Sequence, residues 1–480
     1  MRHEVARPRF QMLSEEQCEF IHRASLEILR RTGVRVFHDE ALQLLREADT
    51  IIADENLVYF TPGLVEWALK QVPERIALCR RGGDEVIVDL EGRKVSFGTG
   101  SDCFNYQDPR TGERHRPAVA DIKDAIHLVD ALPEMTFTMS MMLPVDLGKS
   151  NAYRHQAALM LQHTDKPMVF VCDDRADCEA IVAMACATTE SMDSLRRSPN
   201  LLLYTEPSSP LRHSETMLGK LLYMAESGLP IVNSPAPVQG GTAPVTLAGA
   251  LAQANAEILS ALVIHQLKHP GAPIVYGCGM HHLDMKTMGS VFGGPEFQLA
   301  RVAVAEMGRF YGMPTWGYAG DSDSCAPDEQ AAAEATFSIF VALLAGNNLT
   351  HDVGYLEQGM TFSPEMMVMS TEIIRELRQF MDGISFDNDS MAMDVIHQVG
   401  PGQDHLTTDH TLKFFRNLWE PMLFTRLRHD QWKERGGKRM IERVREQTVA
   451  ILDSYQPNPL PDHAQEEIAY ILKESEKVGS

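Results

Sequence analysis

Eight short apolar segments recur through this chain of 480 residues, and this repeat constrains the fold more than any other sequence feature. They are separated by roughly 30 to 40 residues, and each gap contains one segment with helical periodicity. Short continuous apolar strands are typical of a parallel sheet that is buried on both faces. Eight alternating units therefore predict an α/β fold, the (β/α)8 TIM barrel. The segments are 95–100, 135–144, 167–173, 200–207, 229–235, 272–279, 314–320 and 347–354.

The alternative fold is an open, doubly wound parallel sheet. Such a sheet normally has a glycine-rich phosphate-binding loop after its first strand. The corresponding segment, GTGSDC at 98–103, lacks the third glycine of that loop. We therefore predict a catalytic barrel at 91–384, an N-terminal α+β region at 1–90, and a C-terminal helical extension at 385–480 that packs on the barrel or on a neighbouring subunit.

Composition excludes several classes of protein. A formal charge of −22 disfavours nonspecific binding to nucleic acid or to an anionic membrane. The N-terminal segment lacks the apolar core of a signal peptide, and no uninterrupted run reaches the roughly 18 apolar residues that a membrane span needs. We expect a cytoplasmic protein. The eight cysteines include no C-x-x-C pair, so neither a disulfide framework nor a ribbon-type zinc site is indicated.

The carboxyl ends of barrel strands carry the catalytic groups, so the residues that follow each apolar segment are the candidates. Aromatic and acidic side chains predominate there, and both types attract a permanent cation. Aromatic rings at strand ends also serve as packing residues, and this interpretation stays open. The candidates are Ser101, Asp102, Phe104, Asn105, Tyr106, Tyr204, Glu206, Ser208, Asn233, Gln239, Tyr276, Cys278, His281, His282, Trp316, Tyr318, Asp321, Asp323, His351, Asp352, Tyr355 and Glu357.

Other chemistries have weaker support in the sequence. His281 and His282 are adjacent and form no H-x-x-x-H motif, although nearby Cys278 leaves a zinc thiolate site open as an alternative. His351 with Asp352 is either an oriented acid/base pair or a structural pair. No G-x-S-x-G sequence supports a serine nucleophile.

Three long segments resemble the trimethylamine methyltransferase superfamily: 97–117, 317–334 and 345–374. The resemblance covers most of the chain and implies a (β/α)8 barrel that transfers a methyl group from a methylated amine to the Co(I) form of a separate corrinoid protein. Archaeal trimethylamine enzymes of the family contain pyrrolysine, whereas this chain consists of the twenty ordinary residues. It is therefore similar to the branch without pyrrolysine, whose best-known members are glycine betaine methyltransferases, and the role of pyrrolysine cannot be transferred to any position here.

The resemblance implies a methyltransferase that acts on a quaternary amine. Glycine betaine is the preferred candidate substrate, and its product would be dimethylglycine. Proline betaine, carnitine and other trimethylammonium acids are alternatives within the same chemistry. A zinc-dependent thiol methyltransferase and a quaternary-ammonium binding protein without catalysis are alternatives outside it. The implied cofactor is a cobalamin or other corrinoid carried by a partner protein, with no tightly bound metal in this chain, and the implied assembly is a homo-oligomer.

Strand-end position, rather than known family residues, gives our site assignments. The sequence predicts an aromatic cage for trimethylammonium, with negative charge from Asp321 or Glu357. The five rings of this cage are Phe104, Tyr106, Trp316, Tyr355 and Phe362. His351, Asn105 or the loop from Gln239 to Gly241 is expected to receive a substrate carboxylate. Because unpaired carboxylates repel a betaine carboxylate, at least one acidic residue must be structural. The predicted catalytic residues are His351, Glu357 and Asp321. The predicted substrate-binding residues are Phe104, Asn105, Tyr106, Gln239, Trp316, Tyr355 and Phe362.

Overall fold

A computed structural model describes residues 4–147 and 152–478 of the chain. Its centre is an eight-stranded parallel sheet in which each strand pairs with the next in sequence from β1 to β6, while β8 pairs with both β1 and β7. A single parallel bridge from Tyr276 to Thr315 joins β6 to β7 and completes the circle. The predicted barrel is confirmed. Its strands are β1 Ser96–Gly98, β2 Met135–Met139, β3 Met168–Phe170, β4 Leu201–Thr205, β5 Ile231–Asn233, β6 Ile274–Tyr276, β7 Trp316–Tyr318 and β8 Leu349–His351.

One long helix follows each strand and covers the outside of the barrel. Many of the helices have a serine, threonine or aspartate N-cap; Ser214, for example, accepts a hydrogen bond from the Met217 N–H at the start of α4. A short helix, Met192–Arg197, lies between α3 and β4. The eight covering helices are α1 Val119–Ala131, α2 Ala152–His163, α3 Arg175–Cys186, α4 Glu215–Ser227, α5 Leu247–Lys268, α6 Pro295–Phe310, α7 Glu329–Ala345 and α8 Pro364–Asp382.

Helix α5 is the one described helix that is long and apolar enough to cross a membrane. Of its most apolar window, 78% is buried inside the protein. It packs against three helices from the N-terminal region and against α4 and α6, so its apolar composition is that of a core helix.

The N-terminal region packs on α5 and closes the amino end of the barrel. Its hairpin of Ile76–Cys79 and Val86–Leu90 places Leu78 and Leu90 in the same apolar cluster as the barrel interior. The hairpin therefore excludes water from the amino end, and the carboxyl end is left as the entrance. The other elements are strand Glu4–Ala6, helix Glu15–Arg31, strand Val34–Val36, helix Asp39–Glu47, strands Ile51–Ala53 and Leu57–Tyr59, and helix Pro62–Leu69.

Two small sheets border the entrance. One is built from the loops after β1 and β8, and the other from the loops after β5 and β6. The loop after β4 adds a short strand, Arg212–His213, that pairs with the N-terminal region. The first rim sheet contains Asn105–Gln107, Arg114–His115, Tyr355–Leu356 and Thr361–Phe362, and the second contains Val238–Gln239, His281–Leu283 and Ser290–Val291.

The C-terminal segments follow α8. Helix Met440–Ser454 packs against α8 and α1, and helix Asp462–Val478 packs against α3 and α2. The intervening segments make few contacts with the barrel. They are strand Ile384–Phe386, helices Asn388–Met391, Met393–Val399 and Asp409–Phe414, the 3-10 helix Phe415–Asn417 and helix His429–Glu434.

Candidate active site

Aromatic side chains fill the barrel interior near its carboxyl end. Trp316 and Tyr318 are two residues apart on β7, so both point to the same face of the strand. The His351 ring at the end of β8 lies 4.4 Å from the Trp316 ring and 4.1 Å from the Tyr318 ring, measured between centroids. Tyr204 from β4 lies 5.3 Å from Trp316. Three strands thus supply four packed rings at the base of the entrance.

Glu206 lies directly above this aromatic layer. The Tyr204 hydroxyl donates a hydrogen bond to its carboxylate, and the Tyr318 hydroxyl is 3.4 Å from that of Tyr204 and 3.2 Å from that of Ser234. Glu206 is solvent-exposed, but protein surrounds it on all sides and its pKa is raised by desolvation. An exposed yet desolvated carboxylate is one that faces a recessed cavity, so Glu206 lines the barrel mouth.

His351 is held beside Asp352. Its Nδ1 lies 2.7 Å from Oδ1 of Asp352. The geometry is not that of a hydrogen bond, so the two side chains are in close contact without being hydrogen-bonded. Asp352 has a φ of 79°, and a Cβ at Gly100 would lie 2.0 Å from its Oδ1. Glycine at position 100 is therefore required for Asp352 to reach His351.

Asp321 is buried after β7, and neither carboxylate oxygen has a hydrogen-bond partner among the described residues. Burial raises its pKa well above the usual range, and the nearby charge of Asp352 raises it further. Arg301 opposes the shift only in part. The folded structure therefore favours the protonated form of the Asp321 carboxyl group.

Substituting Asp321 with asparagine is expected to flatten the dependence of stability on pH. The folded state retains a proton on Asp321 that the unfolded state releases above about pH 4. This group's stabilising contribution is thus present at low pH and is lost as pH rises towards the folded-state pKa. Thermal midpoints measured from pH 5 to pH 9 should fall less in D321N than in the wild type. D193N, which changes an exposed aspartate, should follow the wild type, and a D321N curve parallel to both would contradict this account.

Arg301 supports the aromatic layer from behind. It is fully buried on α6, and its guanidinium donates to the carbonyl oxygens of Cys278 and Met280. The guanidinium also lies 4.7 Å from the centroid of the Tyr318 ring and makes a cation–π contact with that ring. Arg301 is therefore a positioning residue that holds Tyr318 against His351.

Asp102 lies in the loop after β1, the strand that pairs with β8. It adopts a left-handed backbone with φ of 60°, and the Tyr153 hydroxyl is 3.3 Å from its Oδ2. Burial raises the pKa of Asp102 to about 7, and the charge of Glu206 contributes to the shift. Its Oδ1 has no partner among the described residues. Asp102 thus changes protonation state near neutral pH.

Unpartnered polar atoms converge on this mouth. Within the described residues, no hydrogen bond is made by Oδ1 of Asp102, Nε1 of Trp316, either oxygen of Asp321 or either ring nitrogen of His351. Buried polar atoms in folded proteins are almost always paired, and a cluster of exceptions calls for a specific explanation. The arrangement is that of a polar and aromatic site prepared for a ligand.

Three predicted site residues, Asp321, Trp316 and His351, lie at this mouth. A different set of predicted residues packs together in the first rim sheet and its neighbours. Tyr106 stacks on Phe362 with a centroid distance of 6.3 Å, and Tyr355 contacts Phe362 edge-on at 6.2 Å. Tyr355 belongs to the outer apolar cluster, whereas Trp316 belongs to the inner one. The five rings of the predicted cage are therefore not brought together.

The remaining predicted residues lie on the rim. Phe104 is exposed beneath the guanidinium of Arg116. The Asn105 side chain donates to the carbonyl of Met360. Gln239 is buried in the second rim sheet. Glu357 forms an ion pair of 2.7 Å with Arg114 and accepts a hydrogen bond of 2.6 Å from the Thr361 hydroxyl. Asn105 and Glu357 therefore make hydrogen bonds within the rim.

Tyr204, Glu206, Tyr318, Asp352 and Asp102 were strand-end candidates but were not selected from the sequence. Alternation along the strands is the signal that would have favoured two of them, because Tyr204 and Tyr318 occupy inward positions, as Trp316 and His351 do. Arg301 and Ser234 gave no sequence signal. Arg301 lies within a helix, far in sequence from the strand that it supports. Among residues 4–147 and 152–478, no group of three or more histidine, cysteine or acidic side chains is placed to hold a metal ion.

Comparison with known proteins identifies the family. A family model described as trimethylamine methyltransferase (MTTB) matches residues 2–479. Trimethylamine methyltransferase MttB of Desulfitobacterium hafniense (strain DSM 10664 / DCB-2) is 31% identical over 96% of this chain and 93% of its own length. Glycine betaine methyltransferase of D. hafniense (strain Y51) is 30% identical over 98% of both chains. The crystal structure of a hydroxylamine complex of MtmB superposes with a TM-score of 0.52 at 11% identity, covering 98% of this chain and 89% of that one.

The geometry defines the class of protein. It is a (β/α)8 barrel of the enzyme type, with polar and aromatic side chains around its entrance. The chain belongs to the trimethylamine methyltransferase (MTTB) family, and it is a methyltransferase. The family resemblance stated from three sequence segments is thereby confirmed over nearly the whole chain. The likeness to MtmB supports the fold alone, because the identity is low.

Proposed function

We propose that this protein transfers a methyl group from a quaternary amine to the Co(I) form of a corrinoid carried by a separate protein. Glycine betaine is the preferred candidate substrate, and dimethylglycine would be its product. Proline betaine and carnitine are the alternative substrates. The 30% identical glycine betaine methyltransferase supports this substrate class. The family to which the chain belongs supports the corrinoid acceptor, and we place the reaction in the cytoplasm.

The observation that carries the proposal is the combination of ring faces and a carboxylate at the mouth. Glu206 is exposed at the mouth, and the rings of Tyr204 and Tyr318 lie next to it. A quaternary ammonium cannot donate a hydrogen bond, so ring faces and an opposing negative charge are the groups that can hold it. In a recessed site this attraction is stronger than in water.

The chemistry requires little of the protein beyond placement. A quaternary amine already carries its positive charge and leaves as a neutral tertiary amine, so no residue has to protonate the leaving group. Co(I) supplies the electron pair that displaces the amine from the methyl carbon. The chain's own contribution is to orient the ammonium and to exclude water, and holding reacting groups in line makes a large contribution to rate.

The rim fits a large partner. Six large apolar side chains on loops that follow the barrel strands are exposed, and they surround the entrance. Exposed apolar residues that are grouped in this way are typical of a protein interaction site. The corrinoid protein is the partner that the proposed reaction needs at this entrance. The six are Phe104, Val145, Val245, Met285, Met288 and Met360.

Asp102 is proposed to receive the substrate carboxylate while it is protonated. A neutral carboxyl group can donate a hydrogen bond, and the Tyr153 hydroxyl, which donates to Oδ2 of Asp102, holds that carboxyl group in place. Above its pKa of about 7 the Asp102 side chain becomes negative and repels the substrate carboxylate. This assignment gives betaines and simple quaternary cations opposite responses to pH.

Calorimetric titration at pH 6 and pH 8.5 tests that response. The affinity for glycine betaine should fall about tenfold as pH rises, corresponding to a change of about 1.4 kcal/mol. Tetramethylammonium, which has no carboxylate, should bind at least as tightly at the higher pH because Asp102 becomes negative above its pKa of about 7. D102N keeps a donor in a left-handed position that asparagine tolerates, so its betaine affinity should not vary with pH. Equal pH responses of the two ligands in the wild type would contradict the assignment.

A spectral screen tests the proposed function itself. The protein is mixed with reduced cobalamin and each of glycine betaine, proline betaine, carnitine and trimethylamine, and the loss of Co(I) absorbance is followed. Glycine betaine should give the fastest loss. A preference for another quaternary amine would revise the substrate alone, whereas binding of these amines without any spectral change would indicate a binding protein that lacks catalysis.

A further inference from the structure

A second pocket lies at the amino end of the barrel, away from the mouth. It is enclosed by residues 9–18, the loop before β1 and the last turn of α6, and we call it the basal pocket. Its volume of about 680 Å3 is within the range of sites that bind small molecules. Three arginines, Arg9, Arg93 and Arg309, line it, although the whole chain carries a formal charge of −22.

Carbonyl groups hold two of these guanidinium groups in place. Arg93 donates through Nη2 to the carbonyl oxygens of Phe10 and Leu344, and Arg309 donates through Nη1 to that of Ala345. The last two carbonyls belong to the end of α7, so these contacts cap that helix. A guanidinium has five N–H groups, and within the described residues the other nitrogens of both arginines have no hydrogen-bond partner. Those N–H groups are available to a ligand.

Two glutamates also line the basal pocket, and in the described part of the chain neither forms an ion pair with these arginines. Both carboxylate oxygens of Glu306 are occupied by the backbone, since they accept hydrogen bonds from Met12 N–H at 2.8 Å and Leu13 N–H at 2.7 Å. Glu15 is exposed in the first turn of its helix, where a negative charge interacts favourably with the helix dipole. The positive charge of the pocket is therefore not matched by direct partners.

The arginines of the basal pocket also repel one another. Burial lowers the pKa of Arg309, and the charge of Arg93 lowers it further, to about 10. Burial lowers the pKa of Arg93 as well, where Glu306 opposes the shift and Arg9 adds to it. A bound anion would offset this repulsion, and its attraction to partly buried guanidinium groups is stronger than in bulk water.

We propose that the basal pocket binds the phosphate group of a small anion. Guanidinium groups bind phosphate oxygens in pairs, and a phosphate offers more oxygens and more negative charge to three arginines than a carboxylate does. Phe10, Leu13 and Phe310 also line the pocket, so the organic part of a phosphate monoester would have apolar groups to contact. The inference concerns a site at the amino end of the barrel and does not depend on the identity of the methyl donor.

Calorimetric titration of the full chain in a phosphate-free buffer tests the proposal. The probes are inorganic phosphate, glycerol 3-phosphate and acetate at matched ionic strength. Both phosphate compounds should bind, and acetate should bind roughly tenfold more weakly or not at all. Tighter binding of glycerol 3-phosphate would identify a phosphate monoester as the ligand, whereas equal or weaker binding would identify inorganic phosphate. Absence of binding by both, or acetate binding as tight as theirs, would overturn the proposal.

Three variants locate the phosphate in the basal pocket. Arg309→Lys keeps the charge but loses the planar fork, and it should weaken phosphate binding roughly tenfold. Arg9 is exposed and makes no described hydrogen bond, so Arg9→Gln should keep the thermal midpoint of the ligand-free protein while its phosphate affinity falls about threefold. The control is Arg23→Gln, which removes the same charge from a side chain that is 65% exposed and does not line the pocket. Wild-type affinity in both R309K and R9Q, or an equal loss in R23Q, would overturn the assignment.

Discussion

Glu206→Gln is expected to weaken the binding of a quaternary amine by about 10- to 100-fold, which corresponds to about 1.4 to 2.7 kcal/mol. Glutamine has the same shape and can still accept the hydrogen bond from Tyr204. The substitution therefore removes the negative charge and leaves the aromatic layer in place. Tetramethylammonium titrated at pH 8.5 isolates this charge effect, because the ligand offers no other polar group.

The matched control is Glu190→Gln, an exposed glutamate in the loop before helix Met192–Arg197. It changes the net charge of the protein by the same amount, so it reports any long-range electrostatic effect. Its affinity for tetramethylammonium should remain within twofold of the wild type. If E206Q also stayed within twofold, Glu206 would not face the bound cation and the proposed ammonium site would be wrong.

Trp316→Ala is expected to reduce the free energy of unfolding by about 3 to 5 kcal/mol, as is usual for large-to-small changes in a core. The Trp316 ring is completely buried, and it contacts Tyr204 and His351 while Gly277 leaves room for it on the adjacent strand. Its loss would open a cavity in the aromatic layer. Urea unfolding followed by circular dichroism measures the change.

Two comparison variants separate packing from side-chain identity. Trp316→Phe retains a ring and should recover more than half of the lost stability. Phe20→Ala, at an exposed position, should change the free energy of unfolding by less than about 1 kcal/mol. A cost for W316A that is no greater than that of F20A would show that the ring is not part of the barrel core.

The barrel could be predicted because its signal is local and repeated. Each strand is a short apolar run, and the run that contains Leu201–Thr205 is buried at every position as a two-sided parallel strand requires. The hairpin of Ile76–Cys79 and Val86–Leu90, which precedes the barrel in sequence, also has a local signal in the glycines of its turn. Its position could not be predicted, because the contacts that place Leu78 and Leu90 under the barrel join residues far apart in sequence.

The site was less accessible from sequence than the fold. Position at the end of a strand identified Trp316 and His351, but it also identified Tyr355, which packs in the outer cluster. Whether a ring near a strand end faces the interior depends on how the loop leaves the strand. Tyr355 follows Asp352 and Gly354, both with positive φ, and its hydroxyl donates to the carbonyl of Met141. The period of two applies only within the strand itself.

The fate of the methyl group tests the central claim most directly. Glycine betaine labelled with 13C on its methyl groups is incubated with the protein and reduced corrinoid protein, and the products are followed by NMR. We expect one labelled methyl on cobalt for each dimethylglycine released, and a loss of both products in E206Q at limiting substrate. Dimethylglycine formed without labelled methylcobalt, or no consumption of any quaternary amine tested, would contradict transfer from a quaternary amine to cobalt.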